Sequence, residues 1–150
     1  MYEATDGSYR PLLRLTVFGI PRPKGSIDPR RHGGLTQPKT TMNWCHAVAA
    51  AALAEADSHG IEPYYADPVS VWLQFFMPGS PTAKPDIDKL ERAILDAISG
   101  GTTWGFPFIK DDAQVTSTVT RVYGWSARPR AHIDVIEDLA LADPDYAIEP

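Results

Sequence analysis

Val69-Ser70-Val71-Trp72-Leu73-Gln74-Phe75-Phe76-Met77, broken by Pro78-Gly79-Ser80-Pro81 and followed by a run from Asp86 to Ser99, carries the fold. The first run is rich in β-branched and aromatic residues and ends at a turn, which predicts a strand. In the second, Ile87, Leu90, Ile94, Ala97 and Ile98 recur at helical spacing, predicting a helix from about Asp88 to Ser99. Gly100-Gly101 then stops it. Downstream, Val115, Val119 and Tyr123 alternate with polar positions, and Ala131, Ile133 and Val135 do the same. These predict two strands joined as a hairpin across Gly124 to Pro129. Upstream, Leu13, Leu15 and Val17 predict a strand, and the alanine-rich stretch from Thr40 to Ser58 predicts a helix capped by Thr40, Thr41 or Asn43. The order strand, helix, strand, helix, strand, strand implies an α+β domain. Its sheet is mixed or antiparallel, of about four strands, with two main helices on one face.

A chain of 150 residues fits one domain spanning 1–150. Residues 1–10 read as a flexible lead and residues 138–150 as a loose acidic tail. No run approaches the 18 or so apolar residues that span a bilayer. The polar start Met1-Tyr2-Glu3-Ala4-Thr5-Asp6 lacks the pattern of a secretory signal. The single cysteine, Cys45, excludes an internal disulfide and suits a reducing cytoplasm; it reads as core filler on the first helix. Net charge is −5, yet Arg10, Arg14, Arg22, Lys24, Arg30, Arg31 and Lys39 face only Asp28 between residues 10 and 50. A basic patch on an acidic protein can still bind a polyanion, because the local potential steers association.

Two groups of acids edge the second helix: Asp86 and Asp88 before it, Asp111 and Asp112 after it. Gathered carboxylates repel by about 1 kcal/mol per pair in water and about 4 kcal/mol at a protein surface. A fold that collects them needs a cation, a proton or strong hydrogen bonds. With hard oxygen donors and no thiolate or histidine cluster, the fitting cation is Mg²⁺, with Mn²⁺ as a substitute. A structural explanation stands beside this one. Asp88-Lys89-Leu90-Glu91 has the form of a capping box, Asp86 would favour the positive helix end, and Asp96 could pair with Arg92.

The order Pro85-Asp86-Ile87-Asp88-Lys89-Leu90, a basic residue, Asp96-Ala97, and then Asp111-Asp112-Ala113-Gln114-Val115 resembles the RusA family of Holliday junction resolvases. Gly19-Ile20-Pro21-Arg22-Pro23-Lys24-Gly25-Ser26 is similar to that family's early loop, and the likeness spans roughly Leu12 to Glu137. The resemblance implies a Mg²⁺-dependent endonuclease that cuts four-way or other branched DNA in recombination and repair, as a homodimer. It carries Asp86, Asp88 and Asp112 over as metal ligands, with Asp111 as a neighbour of the site. Arg92 stands where the family usually has a lysine and would steady the phosphate. Lys89 stands where asparagine is common and adds a cation beside the site. Arg22, Lys24, Arg30 and Arg31 would contact the DNA backbone. Those two departures keep open a non-catalytic DNA-binding protein of the same fold. A metal-dependent phosphohydrolase of small esters is a further alternative, though no phosphate-cradling glycine loop favours it. His32, His46, His59 and His132 read as structural or exposed, and Trp72, Phe75 and Phe76 as core. Trp104, Phe106 and Phe108 could pack an interface or meet nucleic acid.

Overall fold

The computed structural model describes residues 11–25, 38–83, 85–100 and 105–138. The lead, the acidic tail beyond residue 138, and Arg30, Arg31, His32, Lys84 and Trp104 lie outside the described residues. Strand β1 (Pro11–Phe18) is followed by α1 (Lys39–His59), β2 (Val69–Phe76), α2 (Ile87–Ile98), β3 (Val115–Tyr123) and β4 (Arg130–Glu137). The sheet runs β1-β4-β2-β3, with β2 parallel to β3 and the other pairs antiparallel. This is the expected α+β arrangement with a mixed sheet.

The hairpin expectation fails. β4 lies between β1 and β2, while β3 is an edge strand reached through α2. Parallel neighbours need a crossover of this kind, and α2 supplies it. Burial explains the choice. Ala131, Ile133 and Val135 of β4 are fully buried, so that strand belongs inside the sheet, whereas most of β3 is exposed. The link from Gly124 to Pro129 therefore steps across the end of β2. Trp125 donates its amide to the Gly79 carbonyl at 2.8 Å, and Ser126 donates to Met77 at 2.9 Å. A Cβ on Gly124 would sit 2.3 Å from Pro81 Cδ and 2.7 Å from the Gly79 oxygen, so only glycine fits.

The β3 alternation also divides. A register shift opposite Val69 and Ser70 inserts Thr116 as an extra residue, and its hydroxyl donates to the Val69 carbonyl at 3.2 Å. One added residue exchanges the faces of everything beyond it. Val115 thus faces inward opposite Val69, but Val119 and Tyr123 share the outer face with Trp72 and Phe76. Thr118, Thr120 and Val122 turn toward the helices. There the Glu91 carboxylate of α2 accepts hydrogen bonds from both Thr118 and Thr120.

One sheet face packs beneath both helices. Leu13, Val71, Leu73, Phe75 and Ile133 meet Val48 and Ala52 of α1 and Leu90, Ile94 and Ala97 of α2. Cys45 is buried there as expected, its Sγ 3.8 Å from the Ala93 carbonyl, and burial pushes its thiol up to about 11. Phe75 is core, but Trp72 is 37% exposed and Phe76 half-buried on the other face, because β2 alternates. Phe106 and Phe108 enter the core, which settles their role; Phe108 stacks on Tyr65 at 6.1 Å.

The predicted caps are replaced. No side chain caps α1, whose N-cap is Pro38, and Thr41 instead donates to the Pro23 carbonyl at 2.9 Å. α2 ends at extended Ser99, which bridges to Ile109, and a Cβ on Gly100 would lie 2.6 Å from the Lys110 oxygen. Close approach of the returning chain, rather than a left-handed cap, calls for that glycine.

Candidate active site

α2 sets the positions of Asp86 and Asp88. Asp86 is its N-cap, with an extended backbone, and its carbonyl accepts from the Lys89 and Leu90 amides at 3.2 Å. Asp88 falls in the exposed first turn. The predicted capping box between Asp88 and Glu91 does not form, because Glu91 turns to β3. Asp88 therefore loses its simplest structural explanation. Both acids stand where the helix dipole favours negative charge, an effect worth about 0.3–1 kcal/mol. Arg92 follows one turn after Asp88 and is exposed, with no ion-pair partner among the described residues.

The capping signature belongs to the second acid pair. Asp111 opens a short 3-10 turn over Asp112–Gln114, accepts from the Ala113 amide at 2.8 Å, and its own amide donates to Gln114 Oε1 at 2.9 Å. Asp-x-x-Gln is the form of this box, so Asp111-Asp112-Ala113-Gln114 carried the signal in the sequence. Gln114 also donates to the Tyr65 and Asp67 carbonyls at 2.7 and 3.0 Å, fixing the turn to the chain before β2. The Ala113 amide holds the Asp111 carboxyl below its usual range. Asp112 is pushed up, first by its hydrogen bond with Asp111, then by partial burial and the nearby charges of Asp111 and Asp96.

The early loop runs beside α2. Lys24 donates its amide to the Lys89 carbonyl at 3.0 Å and sends its ammonium to Asp96. Asp96 therefore pairs with Lys24 rather than Arg92. A polar cleft results, lined by Lys24, Asp96, Ser99, Lys110, Asp111 and Asp112. Lys110 and the Lys24–Asp96 pair were not read as a unit in the sequence. Arg22, two residues earlier in the same loop, lines a separate hollow with Pro85 and Leu90.

Asp112 is thus brought near Asp96 and Asp111, whereas Asp88 lies eight residues before Asp96, about 12 Å along the helix axis. Among the described residues no three Asp, Glu, His or Cys side chains converge closely enough to hold a metal. The donors nevertheless suit a hard divalent cation. Magnesium commonly takes one or two carboxylates and leaves the rest of its shell to water and substrate phosphate.

His46 and His59 are exposed, the latter 2.9 Å from Glu55, and His132 is half-buried on the open sheet face. No helix among the described residues is long and apolar enough to cross a membrane. No curated protein matches the chain. The model of the endodeoxyribonuclease RusA family matches residues 19–136, from the early loop through β4, and takes in both acid pairs. Family members are generally dependent on a divalent metal and act on Holliday junction DNA. This chain belongs to the RusA family of endodeoxyribonucleases, the Holliday junction resolvases.

Proposed function

We propose that the chain is a magnesium-dependent nuclease that resolves four-way junctions during recombination and repair, as a symmetric homodimer in the cytoplasm, with manganese an effective substitute. The observation that supports this most is the Asp111–Gln114 box, which presents Asp112 on an ordered turn beside Asp96. By the family resemblance Asp86, Asp88 and Asp112 would hold the ion, although Asp112 stands apart from the other two along α2. When bound, a divalent metal supplies a polarised phosphate and a more acidic water.

The chain's own residues do the rest. Arg92, on the exposed face of α2, would donate to a non-bridging phosphate oxygen and offset the charge that builds there. Its planar guanidinium can do so with two hydrogen bonds where a lysine offers a point charge. Arg22, Lys89, Arg30 and Arg31 would hold the backbone of the arms. Lys24 would contribute less to that, since Asp96 already takes its charge. Two copies related by a two-fold axis would offer matching sites to the two strands of a symmetric junction.

The distance along α2 between Asp88 and the Asp112 cleft favours one second reading, a DNA-binding protein of the same fold without turnover. A synthetic mobile junction with Mg²⁺, and again in excess EDTA, separates the two. Paired nicks that disappear on chelation are expected. Full cutting in EDTA sinks the metal requirement, and tight binding without nicks in Mg²⁺ or Mn²⁺ establishes the second reading.

A further inference from the structure

The sheet face turned away from α1 and α2 takes no part in the site above. It carries a shallow hollow whose lining includes Trp72, Gln74, Arg121, Tyr123, His132 and Asp134. Around it, guanidinium groups lie over aromatic rings: Arg130 at 3.9 Å from the Phe76 centroid, Arg128 at 4.8 Å from Phe18, and Arg121 at 5.7 Å from Tyr123. Phe76 in turn stacks on Tyr123 at 4.9 Å. An arginine resting on a ring keeps its charge and loses much of its rotational freedom, so its remaining donors are pre-set for a planar or phosphate acceptor.

The balance of charge identifies the ligand class. The outward strand positions carry one carboxylate, Asp134, and Arg14 binds both of its oxygens at 2.8 and 3.1 Å. Arg121, Arg128 and Arg130 are therefore surplus positive charge on a chain whose net charge is −5. A second copy docked face to face by a two-fold axis would bring together two faces with the same surplus of positive charge, which is unfavourable. A phosphate backbone matches them.

We propose that this open sheet face is a second DNA-binding surface, which takes the phosphate backbone of a junction arm on the side of the sheet opposite α2. The inference rests on the resolvase reading for the identity of the arm, but the charge argument requires only DNA. The test uses the full chain, a fluorescent four-way junction and a linear duplex, each titrated across a salt series. Arg121→Ala with Arg128→Ala should weaken binding to both DNAs about tenfold and lower the slope of log affinity against log salt by about 0.9 per lost contact. Cutting at saturating protein and the melting temperature should not change. Arg121→Lys should recover most of its share of the slope, and Arg121→Gln alone serves if the double variant folds poorly. Unchanged affinity and slope, with junctions still cut, overturn the surface and leave the nuclease intact. Conversion of a dimer to a monomer by the double variant also overturns it, because a second copy is then the occupant. Loss of duplex binding in a protein whose wild type cuts no junction supports the surface and sinks the resolvase assignment.

Discussion

Asp111 and Asp112 both line the cleft, but Asp111 has its carboxylate on the Ala113 amide, where it holds the turn. Replacing the two should therefore have different consequences. Asp112→Asn removes a charged oxygen and lowers repulsion with DNA, so cutting should fall by at least a hundredfold while junction binding holds or tightens. The same is expected of Asp88→Asn; near-normal cutting with only a lowered melting temperature would show that Asp88 serves the helix alone. Cys45 offers a test of packing. With its thiol pushed up to about 11 by burial, it should resist alkylation at pH 8 in the native protein and react once denaturant exposes it. Rapid native labelling would mean that α1 separates from α2 readily. At this scale the acids were legible, because Pro-Asp-x-Asp and Asp-Asp-x-Gln are short local patterns. The Lys24–Asp96 pair was not, since its partners are 72 residues apart and only packing joins them.

β3 shows why element type is easier to read than element placement. Its period-2 pattern predicted a strand correctly, but Thr116 adds a residue that exchanges the faces, and no turn signal marks it. The neighbouring Gly124-Trp125 turn looked like a hairpin loop, whereas its hydrogen bonds go to Met77 and Gly79 at the end of β2. Gly124→Ala should accordingly cost about 1–3 kcal/mol, because the new methyl meets backbone as well as Pro81. Equilibrium unfolding in urea measures it, and a change within error would show that the turn gives way freely. Across β1 and β4, His132 shares a 2.6 Å hydrogen bond with Thr16, and burial followed by the Arg130 charge lowers its pKa from 6.5, against the pull of Asp134. The unfolded chain then binds more protons than the folded one just below pH 6.5. Stability from this group is fully present above that pH and is lost as pH falls through the folded pKa. His132→Gln should flatten that part of the stability-against-pH curve; an unchanged curve assigns the slope to other groups.

Over the whole molecule, the α+β class was legible because hydrophobic periodicity reports which segments pack. The strand order was not, because it depends on which strands can be buried on both edges. β4 holds that position, with β1 on one side and β2 on the other. A fragment ending before Arg130 should therefore lack a native sheet, which amide hydrogen exchange would detect as absent protection in β1 and β2. The same topology imposes a timetable on synthesis. Arg14 and Asp134, which pair across β1 and β4, are 120 residues apart. At about 5–20 residues per second a ribosome needs roughly 6–24 s to supply the second after the first. During that interval β1 has no strand beside it, and its apolar residues Leu13, Leu15 and Val17 have only α1 to pack against. Molecular chaperones that shield short hydrophobic strands would find their target at this end of the protein.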